Sequence, residues 1–322
     1  MSSVPTSPPI HAFSSATNSG PIPPFPEKTV IPVFKTTQTR LPDQKIPSAL
    51  SFYYAGISSI WLWYRAPMDV LRAYTEPLGM TPYDFGGGQG AVNINFFNAV
   101  CFYGSGQPGN QGLGGFNETE INVMAYATKV AANVPSGISL NQYLVSGDPT
   151  KRIGNYRVWV ACDDAVAVAC GIQVFMENKF LVGYDYNVPG PNNPRTKPGD
   201  QYTGDEYTYD WTCIDTSSAE IYKAKLKLDG LSCVAGNMSE VIDLSYDKAS
   251  RRPVGSRRNY LGLFDTYLQP QVSKAVTLTY GKSENAMRHD MEKLIGTSSP
   301  VAIQMYKSPT CIAEAAGYYA DL

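Results

Sequence analysis

The stretch GLGGFNETEINV, residues 112–123, alternates so that one extended strand acquires two different faces. Asn117, Thr119, Ile121 and Val123 fall on one side, and Phe116, Glu118 and Glu120 on the other. If Ile121 and Val123 pack against an outer layer, Glu118 points into a barrel, where a carboxylate could move protons. Taken alone, a solvated strand glutamate is the plainer reading. The segments on either side point to a sheet as well. SIWLWYR (59–65) alternates and is aromatic, and AVNINFF, AVCFYG, RVWVAC, FLVGYDYNV and IYKAKLKL read as further short strands. GGGQG and GSGQPGNQGLGG separate the early ones.

Helices are few. Pro67 sits at the first helical position before MDVLRAYT, which Pro77 and Gly79 end. DDAVAVACGIQVF reads as a helix capped at Asp163 or Asp164. SENAMRHDMEKLIG places Ser283 as N-cap and Gly296 past the end, with Met287, Met291, Leu294 and Ile295 on one face. The pattern is α+β with an antiparallel sheet that closes on itself.

Composition narrows the function classes. Of 322 residues, 43% are hydrophobic and 17% charged, which suits a globular chain with little surface charge. A net charge of −2 supplies no field for nucleic acid or an anionic membrane, so neither partner is expected. The first residues lack a charged and apolar leader, no apolar run approaches a spanning helix, and the six cysteines form no CxxC pair. A cytoplasmic location with reduced thiols is the expectation. Residues 1–46, rich in Pro, Ser and Thr, read as an extended N-terminal arm, and 47–322 as one domain with a polar loop insertion near 188–211.

Several apparent motifs lead nowhere. GSGQPG (104–109) matches a dinucleotide fingerprint, but Pro108 prevents the helix such a site needs. NET (117–119) and NMS (237–239) are chance glycosylation matches in a chain without secretion. His11 and His289 have no partners at metal spacing, so no metal is expected. RRPVGSRR (251–258) reads as a solvated loop, with recognition of a carboxylate or phosphate as the functional alternative. Lys223, Lys225 and Lys227 share the wet face of one alternating strand.

Lys179 differs. In GIQVFMENKF (171–180) and the following LV it is flanked by Val174, Phe175, Met176, Phe180, Leu181 and Val182. Desolvation lowers a lysine pKa and leaves a neutral amine that adds to a ketone or aldehyde, giving an iminium electron sink. The bland alternative is a snorkelling lysine whose stem packs and whose head reaches water.

Together, YRAPMDVLRAY, LGMTPYDFGGGQGAVNINFFN, GLGGFNETE and ACGIQVFMENKF, in that order, resemble the acetoacetate decarboxylase family over roughly residues 60–182. The resemblance implies a cone-shaped antiparallel β-barrel wrapped by additional β-sheet and a few helices. It also implies a homo-oligomer. Gly171 and Lys179 keep the family's glycine-to-lysine spacing, and Glu118 takes the place of its active-site glutamate. No cofactor is implied, since the iminium is itself the sink. Lys179 and Glu118 are thus the expected catalytic residues, with Arg65, Phe116, Phe175 and Ile57 at the substrate, a small carbonyl compound. Departures are also visible. Glu177-Asn178 replaces an aromatic-Pro pair, Phe180 replaces a second lysine, and Ile57 stands where a carboxylate-binding arginine is usual. Any lowering of the Lys179 pKa must then come from burial. With Ile57 in the aligned arginine position and Ile172, Phe175 and Phe180 near the lysine in sequence, a bulkier carbonyl compound is favoured over acetoacetate. The expected activity is a Schiff-base carbon–carbon lyase, decarboxylase-like, on a keto acid or bulkier carbonyl compound. The alternatives are an aldolase, dehydratase or cyclase of secondary metabolism, or a non-catalytic barrel holding a hydrophobic small molecule.

Overall fold

The computed structural model describes residues 52–103, 112–187, 208–238, 240–260, 262–308, 312–314 and 318–321. In chain order the first half holds β1 (Phe52–Pro67), α1 (Met68–Thr75), β2 (Met80–Pro82), β3 (Gln89–Tyr103) and β4 (Gly112–Ala127). It continues through α2 (Leu140–Ser146), β5 (Gly154–Cys162), α3 (Ala165–Val174), β6 (Lys179–Leu181) and β7 (Gly183–Asn187). Then come β8 (Thr208–Ile214), β9 (Glu220–Lys227), β10 (Val234–Gly236), β11 (Glu240–Asp247), β12 (Arg252–Asn259) and β13 (Phe264–Leu268). The chain finishes with β14 (Val276–Tyr280), α4 (Ala286–Leu294), β15 (Ala302–Ser308), β16 (Ile312–Glu314) and β17 (Tyr318–Tyr319).

Two sheets result. β1 runs the length of the larger one, pairing with β3 along nearly its whole extent and with β15 and β16 on its other edge. β3, β4 and β5 follow as an antiparallel meander. The smaller sheet is antiparallel, in the order β14-β9-β8-β7. The larger sheet is mixed, not purely antiparallel, because β5 pairs in parallel with both β6 and β11. Helix α3 crosses over between β5 and β6, and such a crossover makes strands parallel. Among the described residues, the ladder around the larger sheet is thin at two seams. The β5–β11 seam has two paired positions and the β12–β16 seam one.

The two faces of the large sheet serve two cores. Ile121, Val123, Ile94 and Phe96 meet Trp211, Tyr222 and Leu226 of the smaller sheet, with Phe96 stacked on Trp211 at 4.9 Å. Met287, Met291 and Leu294 of α4 seal the edge of that layer. The opposite face carries Ile57, Trp61, Trp63, Phe97, Phe116 and Phe264. The division of Ile121 and Val123 from Glu118 and Phe116 is the one their alternation predicts.

Some boundaries differ from the sequence reading. Pro67 is the residue before α1, not its first turn, and Asn285 rather than Ser283 caps α4. Asn285 wins because its Oδ1 reaches the Met287 amide at 2.9 Å, while the Ser283 hydroxyl accepts from the Asn285 amide. Asp164 caps α3 as expected, accepting from the Ala167 amide at 2.7 Å. Arg252–Asn259 is a strand, not a loop, and residues 208–211 begin β8. The remainder of the 188–211 insertion, the GSGQPG loop and the N-terminal arm lie outside the described residues. Cys162, Cys170, Cys213 and Cys233 are free thiols, and no described helix is long and apolar enough to cross a membrane.

Candidate active site

Strand register brings the site together. Trp61, Asn95, Glu120, Val160 and Lys179 lie side by side across β1, β3, β4, β5 and β6. Glu118 is two residues along β4 from Glu120, on the same face, opposite Phe97 and Cys162. The start of β6 is fixed by its backbone, the Val160 amide donating to the Asn178 carbonyl at 3.1 Å. Lys179 therefore projects onto the Glu118 side of the sheet.

There the Lys179 ammonium forms an ion pair with Glu118 Oε2 and lies 3.3 Å from Glu177 Oε2. The lysine side chain is 7% exposed and both glutamates 3%. Glu177 is held from behind by Arg157 Nη1. Arg157 also reaches Asp243 at 2.5 Å and Glu120 at 3.2 Å, and Arg258 bonds the same two carboxylates at 3.2 and 3.0 Å. Asn95 completes Glu120 by donating to it at 2.6 Å.

Gly171 makes this approach possible. A Cβ there would collide with both Glu177 Oε2 and Lys179 Cδ, so only glycine lets the lysine stem and the glutamate pass over α3. This accounts physically for the eight-residue spacing between Gly171 and Lys179. The turn that delivers Glu177 carries Met176 at φ +56°, a left-handed conformation that costs a non-glycine residue about 1 kcal/mol or more. The Glu177 amide donates to the Gly171 carbonyl at 3.0 Å and offsets part of that cost.

The electrostatics invert one expectation. Burial alone lowers the Lys179 pKa, but Glu118 and Glu177 outweigh it and hold the amine above the usual lysine range. The neutral resting amine expected from apolar flanks is thus replaced by a stored ammonium. Burial pushes Glu118 up to about 7; the Lys179 charge opposes that shift, and Glu177 and Glu120 add to it. Glu120 behaves oppositely. Burial raises it, yet Arg157 and Arg258 bring it down to about 2. One carboxylate of the cluster is therefore held ionised, and another, Glu118, titrates near neutrality beside the Lys179 ammonium.

No family model and no curated relative matches the sequence. Solved structures do match in fold. The enduracididine biosynthesis enzyme MppR, complexed with the condensation product of pyruvate and imidazole 4-carboxaldehyde, aligns at a TM-score of 0.54. It shares 15% identity, over 86% of this chain and 91% of that one. An acetoacetate decarboxylase-like enzyme from Sphingomonas wittichii RW1 aligns at 0.50 with 13% identity, over 85% and 93% of the two chains. Acetoacetate decarboxylase from Legionella pneumophila aligns at 0.50 with 12% identity, over 84% and 86%. The fold is that of acetoacetate decarboxylase-like enzymes.

Within this acetoacetate decarboxylase-like fold the other sequence-predicted residues separate. Ile57 and Phe116 are buried on the Glu118 face, one same-face step beyond the row that holds Ser59, Phe97 and Glu118. Phe116 meets Phe97 at 5.9 Å, and Phe175, at the end of α3, joins the same core. Arg65 stands apart. It shares the face but lies four residues along β1 from Trp61, about 13 Å at strand spacing, where it donates to the Gln89 carbonyl at 3.4 Å. Phe180 and Ile172 do not line this face. Phe180 packs edge-on to Trp159 in the outer core, and Ile172 is 46% exposed on α3. A surface cavity of about 710 Å³, bordered by Tyr83, Phe85, Tyr126 and Ile138, includes none of the lysine cluster.

Sequence reasoning overlooked Arg157 and Asp243 and misplaced Arg258. Simple alternation along RVWVAC puts Arg157 on the outer face with Trp159. A bulge opposite Ile121 and Asn122 reverses it inward. Arg258 looked like one charge in a solvated run, but alternation from Val254 and Ser256 carries it inside, fully buried. Among the described residues, no group of three or more His, Cys, Asp or Glu is placed to hold a metal ion.

Proposed function

We propose that this protein is a lysine-dependent carbon–carbon lyase that works through a Schiff base at Lys179. One observation carries the reading: a buried lysine lies between two buried carboxylates, one of which titrates near neutral pH. Glu118 takes a proton from the Lys179 ammonium, and the freed amine adds to the substrate carbonyl to give a carbinolamine. Glu118 returns the proton to the carbinolamine hydroxyl, water leaves, and an iminium remains. That iminium accepts the electron pair of the breaking C–C bond. In a decarboxylase-like cycle CO₂ departs, the enamine is protonated at carbon, and hydrolysis restores the lysine. Ile57, Phe116 and Phe175 supply the apolar wall, which supports a bulkier carbonyl compound.

A second reading uses the same iminium for aldol, dehydration or cyclisation chemistry. It is favoured by a specific likeness, since the MppR structure holds a condensation product of pyruvate with an aldehyde. Reducing the protein with borohydride in the presence of candidate ketones and aldehydes tests the common step. A mass increment equal to the substrate less water, plus hydrogen, is expected. Its absence with every candidate would leave only a binding barrel. Release of CO₂ from a keto acid then distinguishes decarboxylation from the second reading.

A further inference from the structure

We infer that Glu177 determines specificity: it admits ketones and aldehydes that are uncharged beside the reacting carbonyl, and turns away those bearing a carboxylate there. The inference rests on the Schiff-base reading of Lys179, and because loss of CO₂ needs a carboxylate beside that carbonyl, it sides with the aldol, dehydration or cyclisation reading of the iminium and against decarboxylation. Its basis is the charge census of the buried cluster. Glu118, Glu120, Glu177 and Asp243 face Arg157, Lys179 and Arg258, so the fully ionised cluster carries one formal negative charge. Each guanidinium is already committed. Arg157 spans Glu120, Glu177 and Asp243, while Arg258 spans Glu120 and Asp243 and donates to the Tyr260 hydroxyl at 3.3 Å.

Glu177 supplies the surplus next to the nucleophile. Arg157 fixes one oxygen and leaves the other facing Lys179 Nζ at 3.3 Å. Among the described residues, the other groups that act on the amine are Glu118, Cys162 and Cys170, and the nearby Arg157 is spent on the far oxygen of Glu177. Going from ammonium to iminium exchanges one cation for another, with water leaving, so Glu177 stays a matched counter-ion throughout. A substrate carboxylate next to the carbonyl adds a second negative charge in a space of low dielectric, where like charges repel strongly. An uncharged ester or ketone brings no such charge. Ile57 on the same face agrees, since it offers an anion nothing to bind.

The matched probes are acetoacetate and methyl acetoacetate, each with borohydride. The rate of Lys179 labelling is read by mass spectrometry and normalised to the rate with a free model amine. The wild-type protein should favour the ester by about ten-fold or more, the scale of one close like-charge contact. Glu177→Gln keeps the side-chain shape and an amide oxygen for Arg157, and should narrow that preference about ten-fold. Equal or faster labelling of the wild-type protein by acetoacetate would overturn the inference, whether or not the variant folds. A folded Glu177→Gln that keeps the wild-type ratio would overturn it as well. If neither probe, nor any bulkier ketone, labels Lys179, the Schiff-base reading fails and takes this inference with it.

Discussion

The two faces of β4 alternate along one strand and obey opposite rules. Thr119, Ile121 and Val123 close a dry seam with the smaller sheet, where even the polar Thr119 is satisfied by the Tyr222 hydroxyl at 2.6 Å. Glu118 and Glu120, on the other side, are equally buried but enter a lattice of charges. Burial on the outer face yields stability directly, about 25 cal/mol per Å² of apolar surface removed from water. Burial on the inner face costs desolvation that ion pairing roughly repays. The outer seam therefore holds the strand in register so that the inner face can keep groups of shifted proton affinity at fixed positions.

The comparison can be broken most severely at Arg258. Arg258→Met leaves Glu120 and Asp243 to share Arg157, and loss of one member of a buried ionic network costs about 3–5 kcal/mol. Denaturant unfolding should show a midpoint lowered accordingly. An unchanged midpoint would mean that water, not pairing, balances these charges.

Glu118→Gln probes chemistry rather than stability. Labelling of Lys179 should slow by about 10²-fold, the low end for a proton-transfer group. In the wild-type protein the labelling rate should rise through about pH 7 as Glu118 ionises, and that limb should vanish in the variant. Stability follows the same group with the opposite slope. A carboxyl raised from 4.5 to about 7 contributes stability that is full below about pH 4.5 and lost as pH rises through about 7. Glu120, lowered to about 2, contributes stability present above about pH 4.5 and lost as pH falls through about 2. Identical pH–stability curves for wild type and Glu118→Gln would contradict this assignment.

Gly171→Ala tests the packing beneath the lysine. The added methyl must displace Glu177 or the lysine stem, which costs about 1–3 kcal/mol and should slow labelling in the folded fraction. The smallest effect belongs to the outer face. Ile121→Val should cost about 0.5–1.5 kcal/mol by thermal unfolding and leave the labelling rate per folded molecule unchanged. A slowed rate there would show that the two faces are coupled.

Much of the fold was legible because alternation is strict along β4 and β9. Glu118 and Glu120 separate from Ile121 and Val123, and Lys223, Lys225 and Lys227 are exposed on one side of β9 as their spacing predicts. The helix caps were legible to within a residue or two, since Asp164 and the Ser283–Asn285 pair offer the right side chains. Lys179 was visible as a lysine out of place, but its state was not. The carboxylates that raise its pKa are Glu118, from a strand two removed in the sheet, and Glu177, aimed by the left-handed turn at Met176. Arg157 was hidden by a bulge, which shifts alternation by one and leaves no local signature in RVWVAC. The β5–β6 parallel pair leaves no mark in strand alternation, because it depends on where the α3 crossover returns the chain.

The most direct test of the account is peptide mapping after borohydride reduction with a neutral aliphatic ketone. A single reduced adduct on Lys179 is expected, with Lys223, Lys225 and Lys227 unmodified at the same exposure, and no adduct in a folded Lys179→Met variant. Adducts on the lysines of β9 with Lys179 untouched would contradict it.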